Sequence, residues 1–198
     1  FTATNTTSEP ISGTIEITPS INGCVGISKI YTITINPKPV ANSITDLVVC
    51  EGTNVSGIVL TAVSPLNGSG TSFTWTSSNS SAIGLSQSSG NTSPIPTFTA
   101  NNLTNSVVSS VFTMTPTYQG CVGNSVQFTV SVQPESVAGT ISGPSTTCFG
   151  TAPGVLTLNN SVGSVVKWQS SSNNSTWTDI SVSSNTYTPG ILTANTYF

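Results

Sequence analysis

The chain contains no histidine, no arginine and only three lysines, Lys29, Lys38 and Lys167. Without His, the Ser-His and Cys-His pairs that activate a nucleophile cannot be built, and imidazole is lost as a metal ligand. Three scattered cations cannot track a phosphate backbone or hold an anionic bilayer surface, so nucleic acid and charged lipid are excluded as electrostatic partners. Charged residues make up 5% of the chain, against about 25% in ordinary domains. The net charge of −3 is too small to argue for a basic partner. There is no apolar run of about 18 residues, so no membrane insertion is expected in this segment. The carboxylates Glu9, Glu16, Asp46, Glu51, Glu135 and Asp179 are dispersed along the chain. They offer neither the paired acids of acid–base catalysis nor an Asp-rich calcium loop, so no catalytic residue, metal or cofactor is expected.

With so little charge, the surface must be built of Ser, Thr and Asn. Such a composition could belong to a disordered stalk, but here apolar residues alternate with hydroxyl residues in defined runs. Tyr31, Ile33 and Ile35 interleave with Thr32, Thr34 and Asn36, and Phe128, Val130 and Val132 with Thr129, Ser131 and Gln133. That period of two describes strands with one core face and one wet face. Nothing follows the 3.6-residue period of a helix. The chain reads as all-β.

It also repeats itself. Phe1-Thr2-Ala3 recurs as Phe98-Thr99-Ala100 and Gly23-Cys24-Val25-Gly26 as Gly120-Cys121-Val122-Gly123, both at an offset of 97 residues. Aligned without a gap, residues 1–37 and 98–134 share 15 identities in 37 positions. A period this long fits a string of whole small domains rather than a solenoid. Residues 1–37 read as the C-terminal part of a first module, 38–134 as a complete module and 135–198 as the N-terminal part of a third, so both termini are expected to be cuts within modules.

Within the complete module, strands are expected at Ser43–Val49, Gly57–Val63, Thr71–Ser77, Ala82–Ser86, Pro96–Ala100, Val107–Thr117 and Ser125–Val132. Seven strands in about a hundred residues is the count of an immunoglobulin-like antiparallel β-sandwich. The expected core is Ile58, Leu60, Phe73, Trp75, Phe98, Phe112, Met114, Phe128, Val130 and Val132, with Trp75 on the third strand, where such sandwiches bury a Trp. The third module shares Val137-Ala138 with Val40-Ala41 and Cys148-Phe149-Gly150-Thr151 with Cys50-Glu51-Gly52-Thr53, and places Trp168 where the second has Trp75. It then diverges, a cousin rather than a copy.

These motifs carry a resemblance. Thr18-Pro19 and Thr115-Pro116, each followed by Gly-Cys-Val-Gly and closed by Asn36-Pro37 or Gln133-Pro134, together with Cys50-Glu51-Gly52-Thr53 and Phe73-Thr74-Trp75, resemble PKD-like modules of giant surface proteins of gliding Bacteroidetes. Trp168-Gln169-Ser170, Trp177-Thr178-Asp179-Ile180, Tyr187-Thr188-Pro189-Gly190 and Tyr197-Phe198 are similar to a second Ig-like module of the same proteins. The mixture is most similar to gliding-motility adhesins of the SprB type. The resemblance implies export by the type IX secretion system, display at the cell surface, and a non-catalytic stalk of tandem modules. Its partners would be neighbouring modules, surface polysaccharide or the gliding and secretion machinery.

Four cysteines recur in two settings: Cys50 and Cys148 before a Gly-Thr turn, Cys24 and Cys121 in the last hairpin turn. Repeated, even-numbered Cys in a secreted chain suggests disulfides. In an Ig topology Cys50 and Cys121 fall at opposite poles, while bridged Cα atoms must lie within about 7 Å. An intramodular bridge, bridges between neighbouring modules with partners beyond these residues, and free thiols all stay open. A carbohydrate-binding role would need exposed aromatics, for which Trp177, Tyr187 and Tyr118 are the candidates. Two Thr-x-Thr runs are too few for an ice-binding array. Nine Asn-x-Ser/Thr sequons are what this composition produces unaided.

Overall fold

The computed structural model describes residues 2–64, 69–144 and 146–198. Phe1, the counterpart of Phe98, lies outside them. The chain forms two compact units, Phe1–Gln133 and Pro134–Phe198, and the expected boundary at 37/38 falls inside the first.

The first unit opens with β1 (Ile11–Ile17), β2 (Ser20–Ile21), β3 (Cys24–Val25) and β4 (Lys29–Ile35). β1 and β4 are antiparallel, from Ile11 opposite Ile35 to Ile17 opposite Lys29, and β2 and β3 form the tip between them. Then follow β5 (Val40–Ala41), β6 (Leu47–Cys50), β7 (Asn54–Val55), β8 (Ala62–Ser64), β9 (Ser72–Ser77), β10 (Ser89–Gly90), β11 (Phe98–Thr99), β12 (Val108–Tyr118), β13 (Cys121–Val122) and β14 (Val126–Gln133). The main sheet runs β10-β9-β12-β14-β6, with β13 paired to β12. Facing it are the β5–β8 and β7–β11 pairs and the Ile58–Ile95 bridge.

Strict alternation builds the core between these layers. Phe73, Trp75 and Ser77 of β9 point inward, as do Ser110, Phe112 and Met114 of β12 and Phe128, Val130 and Val132 of β14. Phe112 stacks on Phe128 with ring centroids 5.0 Å apart, and Trp75 tilts against Phe112 at 6.2 Å. Each such burial is worth about 1.5–3 kcal/mol. Gly90 lets Trp75 lie flat on the backbone of the next strand, since a Cβ there would sit 2.7 Å from the indole. Every expected core residue is buried except Ile58, which is half-buried against the cluster. Ile83, Leu85 and Ile95 join them.

Three expected strands differ. Of Ser43–Val49 only Leu47–Val49 is strand, within β6, because Asp46 turns its carboxylate to the sheet and accepts from Thr129 N at 2.7 Å. Beyond that point β6 runs parallel to β14, the one parallel pair of this sheet. Gly57–Val63 resolves into the bridge at Ile58 followed by β8. The run Ala82–Ser86 holds a 3-10 turn over Ser81–Ile83. Its Ile-Gly-Leu alternation imitates a strand, but Gly84 adopts φ +89° and closes the turn, sending both Ile83 and Leu85 into the core.

The 97-residue repeat is conserved in three dimensions. Val108 opposes Val132 as Ile11 opposes Ile35. Ser109 and Ser131 bond across the sheet at 2.9 Å as Ser12 and Thr34 do at 3.0 Å. Gly123 N donates to Pro116 O at 2.9 Å as Gly26 N does to Pro19 O at 2.8 Å. What differs is covering: Phe112, Val130 and Val132 are fully buried, whereas their counterparts Ile15, Ile33 and Ile35 are exposed or half-exposed.

The second unit contains β15 (Thr140–Ser142), β16 (Leu156–Asn159), β17 (Trp168–Ser170), β18 (Thr178–Ile180) and β19 (Thr186–Tyr187). β15, β16 and β19 form one sheet, and β17 and β18 form a hairpin. Trp168 is buried and donates Nε1 to Ser184 O at 3.0 Å. Among the described residues the chain is therefore all-β, with a β-sandwich core in its first unit.

Candidate functional site

A cleft of about 610 Å³ opens in the first unit. One wall is the β4 edge, Ile33–Asn36, with Ala3 and Asn5; the other carries Cys121 and Val122. Lys38 also lines it, and Pro37 and Pro39 on either side of Lys38 are buried. Pro39 fits because Gly123 has no side chain: a Cβ there would lie 2.1 Å from Pro39 O. The Gly-Cys-Val-Gly turn thus receives the linker and sets Cys121 against the end of the preceding repeat.

Asn5 belongs to a clamp that occurs twice. Asn102 Nδ2 donates to Ser106 O and Val132 O at 2.8 Å each, while its Oδ1 accepts from Thr104 N at 3.0 Å and Thr104 Oγ1 at 2.7 Å. Asn5 does the same 97 residues earlier, with Glu9 O, Ile35 O, Thr7 N and Thr7 Oγ1 at 2.7–2.9 Å. Sequence reasoning set both sequons aside as compositional. The available signal was that two of the nine, Asn5-Thr6-Thr7 and Asn102-Leu103-Thr104, share the repeat offset.

The turn at Cys50–Thr53 is held by the same surfaces in the second repeat. Glu51 N donates to Gln133 O at 3.0 Å, Gly52 N to Ala100 O at 2.9 Å and Ala100 N to Thr53 O at 2.8 Å. Glu51 Oε2 accepts from Asn102 N. Glu51 and Asp46 thus both cap backbone N–H groups, of Asn102 and Thr129.

None of the four cysteines is bridged: Cys24, Cys50 and Cys148 are exposed and Cys121 is half-buried. Cys50 stands opposite Gln133 at one end of β14, and Cys121 opposite Tyr118 beyond the other. The eight residues of β14 between them span about 23 Å, too far for a bridge.

The aromatic candidates are not brought together. Tyr118, in the first unit, is half-buried and flanks Gly70. In the second unit Tyr187 is a packing residue, between Trp168 and Phe198 with centroids 5.6 Å from each. Trp177 is 41% exposed and borders a cavity of about 240 Å³ with Ile141, Leu158, Trp168 and Phe198. Lys167 and Gln169 line the same cavity, and both donate to Asp179 at 2.8–2.9 Å. Those hydrogen bonds, Lys167 first, hold the Asp179 carboxyl below its usual 3.8. Among the described residues no three His, Cys, Asp or Glu side chains group to hold a metal ion, and no helix is long and apolar enough to cross a membrane.

Among solved structures, the chain is similar over 93% of its length to the FN1-FN3 domains of chicken CNTN1, at 11% identity and a TM-score of 0.32, covering 67% of that chain. It is likewise similar over 93% of its length to EC22-24 of mouse Cadherin-23, at 12% identity and a TM-score of 0.33, covering 65% of that chain. A search of curated proteins gives no match. Residues 137–198 match a domain of unknown function, DUF8696. Residues 47–136, from β6 past the end of β14, match the PKD-like domain.

Proposed function

We propose that the chain is a non-catalytic stretch of tandem modules in the stalk of a large secreted adhesin, displayed at the cell surface and serving gliding motility and surface attachment. The observation that carries this reading is the repeat: one hairpin, one Asn clamp and one cysteine turn return 97 residues apart in the same register. The second copy lies within residues 47–136, which are similar to the PKD-like domain. Selection for spacing and stiffness favours such repetition, because each module keeps its own core while the linkers fix the step. The buried prolines on either side of Lys38 suit a stiff joint. Glu51 and Asp46 meet backbone N–H groups and Asp179 meets Lys167, rather than one another, which suits a structural role.

The test is antibody labelling of intact cells of the source bacterium, with gliding scored after in-frame deletion of the segment. Surface label and impaired gliding or attachment are expected; label found only after lysis would overturn the reading. Carbohydrate binding is a second reading, favoured by Trp177 at the rim of a cavity that also presents Lys167 and Gln169. It predicts glycan-array binding that disappears in Trp177→Ala, and binding that persists in the variant removes that residue from the site.

A further inference from the structure

The cleft beside Cys121 has a filled counterpart in the same molecule. β14 is paired on both edges, to β12 antiparallel and to β6 parallel, with Leu47, Val48, Val49 and Cys50 opposite Val130, Ser131, Val132 and Gln133. Among the described residues β4, its equivalent, pairs with β1 alone. Moved back by 97 residues, the four partners of β6 become Ile33, Thr34, Ile35 and Asn36, and these four form the wall of the cleft. Ala100 and Asn102, which grip the Cys50–Thr53 turn, become Ala3 and Asn5, which also line it. An open strand edge is a template for strand addition, and the side chain that caps this one, Asn5 Nδ2 on Ile35 O, has its counterpart in Asn102 Nδ2 on Val132 O, which leaves β14 free to pair with β6. The apolar face beside it, Ile15, Ile17 and Tyr31, is exposed, whereas the equivalent Phe112, Met114 and Phe128 are covered.

We propose that this edge receives a strand and turn with the chemistry of Leu47–Thr53 from a preceding repeat of the same polypeptide, and that its cysteine forms a disulfide with Cys121. This rests on the tandem-module reading and adds the joint between modules. Register places the incoming cysteine opposite Asn36, as Cys50 stands opposite Gln133, and Asn36 and Cys121 line one cleft. The bond would lock one module to the next across the linker. It forms by exchange with an oxidised dithiol oxidoreductase. One thiolate attacks the catalyst's disulfide, and the second displaces the mixed disulfide. The two cysteines lose two protons and two electrons, and the catalyst leaves as a dithiol.

The probe is a synthetic peptide with the sequence of residues 47–55, its cysteine activated as the thionitrobenzoate mixed disulfide, offered to the reduced chain. Attack by a protein thiolate on the peptide sulfur releases thionitrobenzoate, which times the reaction, and mass mapping identifies the labelled cysteine. Cys24 occupies the same turn in the first repeat and is more exposed than Cys121, so it reports intrinsic reactivity. Docking raises the local concentration of the probe, so labelling of Cys121 is expected to be about tenfold or more faster than that of Cys24, with the advantage lost for a scrambled peptide. Equal rates, a preference for Cys50 or Cys148, or a preference for Cys121 that survives scrambling each overturns the proposal. The adhesin reading fails on cell-surface labelling instead, which this rate ratio does not touch.

Discussion

At the residue scale, Asn102 shows how a chain without useful charge fastens its loops. It is 4% exposed, and one amide bonds the Val132 carbonyl in a buried position and the Ser106 carbonyl and Thr104 N–H in partly buried ones. Truncation strands the buried Val132 carbonyl, at about 1–3 kcal/mol, and removes the partly buried bonds to Ser106 O and Thr104 N, at about 0.5–1.5 kcal/mol each. Asn102→Ala is therefore expected to lower stability by about 2–4 kcal/mol, read as a shift of the urea midpoint with an unchanged slope. Asn5→Ala, in the same geometry but half-exposed, should cost under about 1 kcal/mol, because water replaces the lost partners. Equal losses at the two positions would show that burial does not set the value of the clamp. Because the Asn102 Nδ2 hydrogens are both committed, this sequon is also a poor glycan acceptor in the folded chain. The acids follow the same rule of local use. Asp179, held below its usual value by Lys167 and Gln169, favours the fold above the usual value and loses that contribution as pH falls through its own lowered one.

At the scale of elements, the Gly-Cys-Val-Gly turn has different work in its two copies. Gly123 faces the Pro39 carbonyl at a distance that admits no Cβ, while a Cβ on Gly26 would meet the Pro19 ring at 3.0 Å and the Pro19 carbonyl oxygen at an ordinary 3.4 Å. Gly123→Ala should thus destabilise the first unit by about 1–3 kcal/mol through overpacking against backbone, and Gly26→Ala by much less. Thermal unfolding of the two variants checks this, and similar melting temperatures would refute the linker's seat on Gly123. The hairpin itself was legible in the sequence, since alternation fixed β12 and β14 and the offset carried their register to β1 and β4. The sandwich core was legible for the same reason: Phe73, Trp75, Phe112 and Phe128 stand on alternating positions. What the sequence hid depended on tertiary partners. Asp46 breaks the expected first strand by bonding to Thr129, 83 residues away, and no local pattern announces that pairing. Ile83 and Leu85 copied a strand's period of two while lying on a turn that only Gly84's left-handed backbone reveals. The cleft was invisible for a further reason, being built from residues 3–6, 33–36 and 121–122 at once.

At the scale of the whole molecule, two hairpins of nearly the same sequence pattern, with the same register and the same cross-strand hydroxyl pairs, differ in one respect. β12 and β14 lie over a core of aromatic rings, and β1 and β4 present Ile15, Ile17 and Tyr31 to solvent. An isolated two-stranded ribbon is marginal in water, whereas strands in a packed domain open only with global unfolding, at about 5–15 kcal/mol. A gap of about 4 kcal/mol corresponds to roughly a thousandfold in opening equilibrium. Amide hydrogen exchange of the 198-residue chain should therefore show β1 and β4 exchanging about a thousandfold faster than β12 and β14, position against repeat-equivalent position. The comparison is internal, so buffer, temperature and intrinsic exchange rates largely cancel between aligned residues. Protection of β1 and β4 equal to that of β12 and β14 would mean that hairpin register alone holds these strands, and that the exposed apolar face has no need of the covering strand proposed for its edge. A large difference would instead make β4 an element whose stability awaits a partner, the thermodynamic condition under which an added strand gains most by binding there.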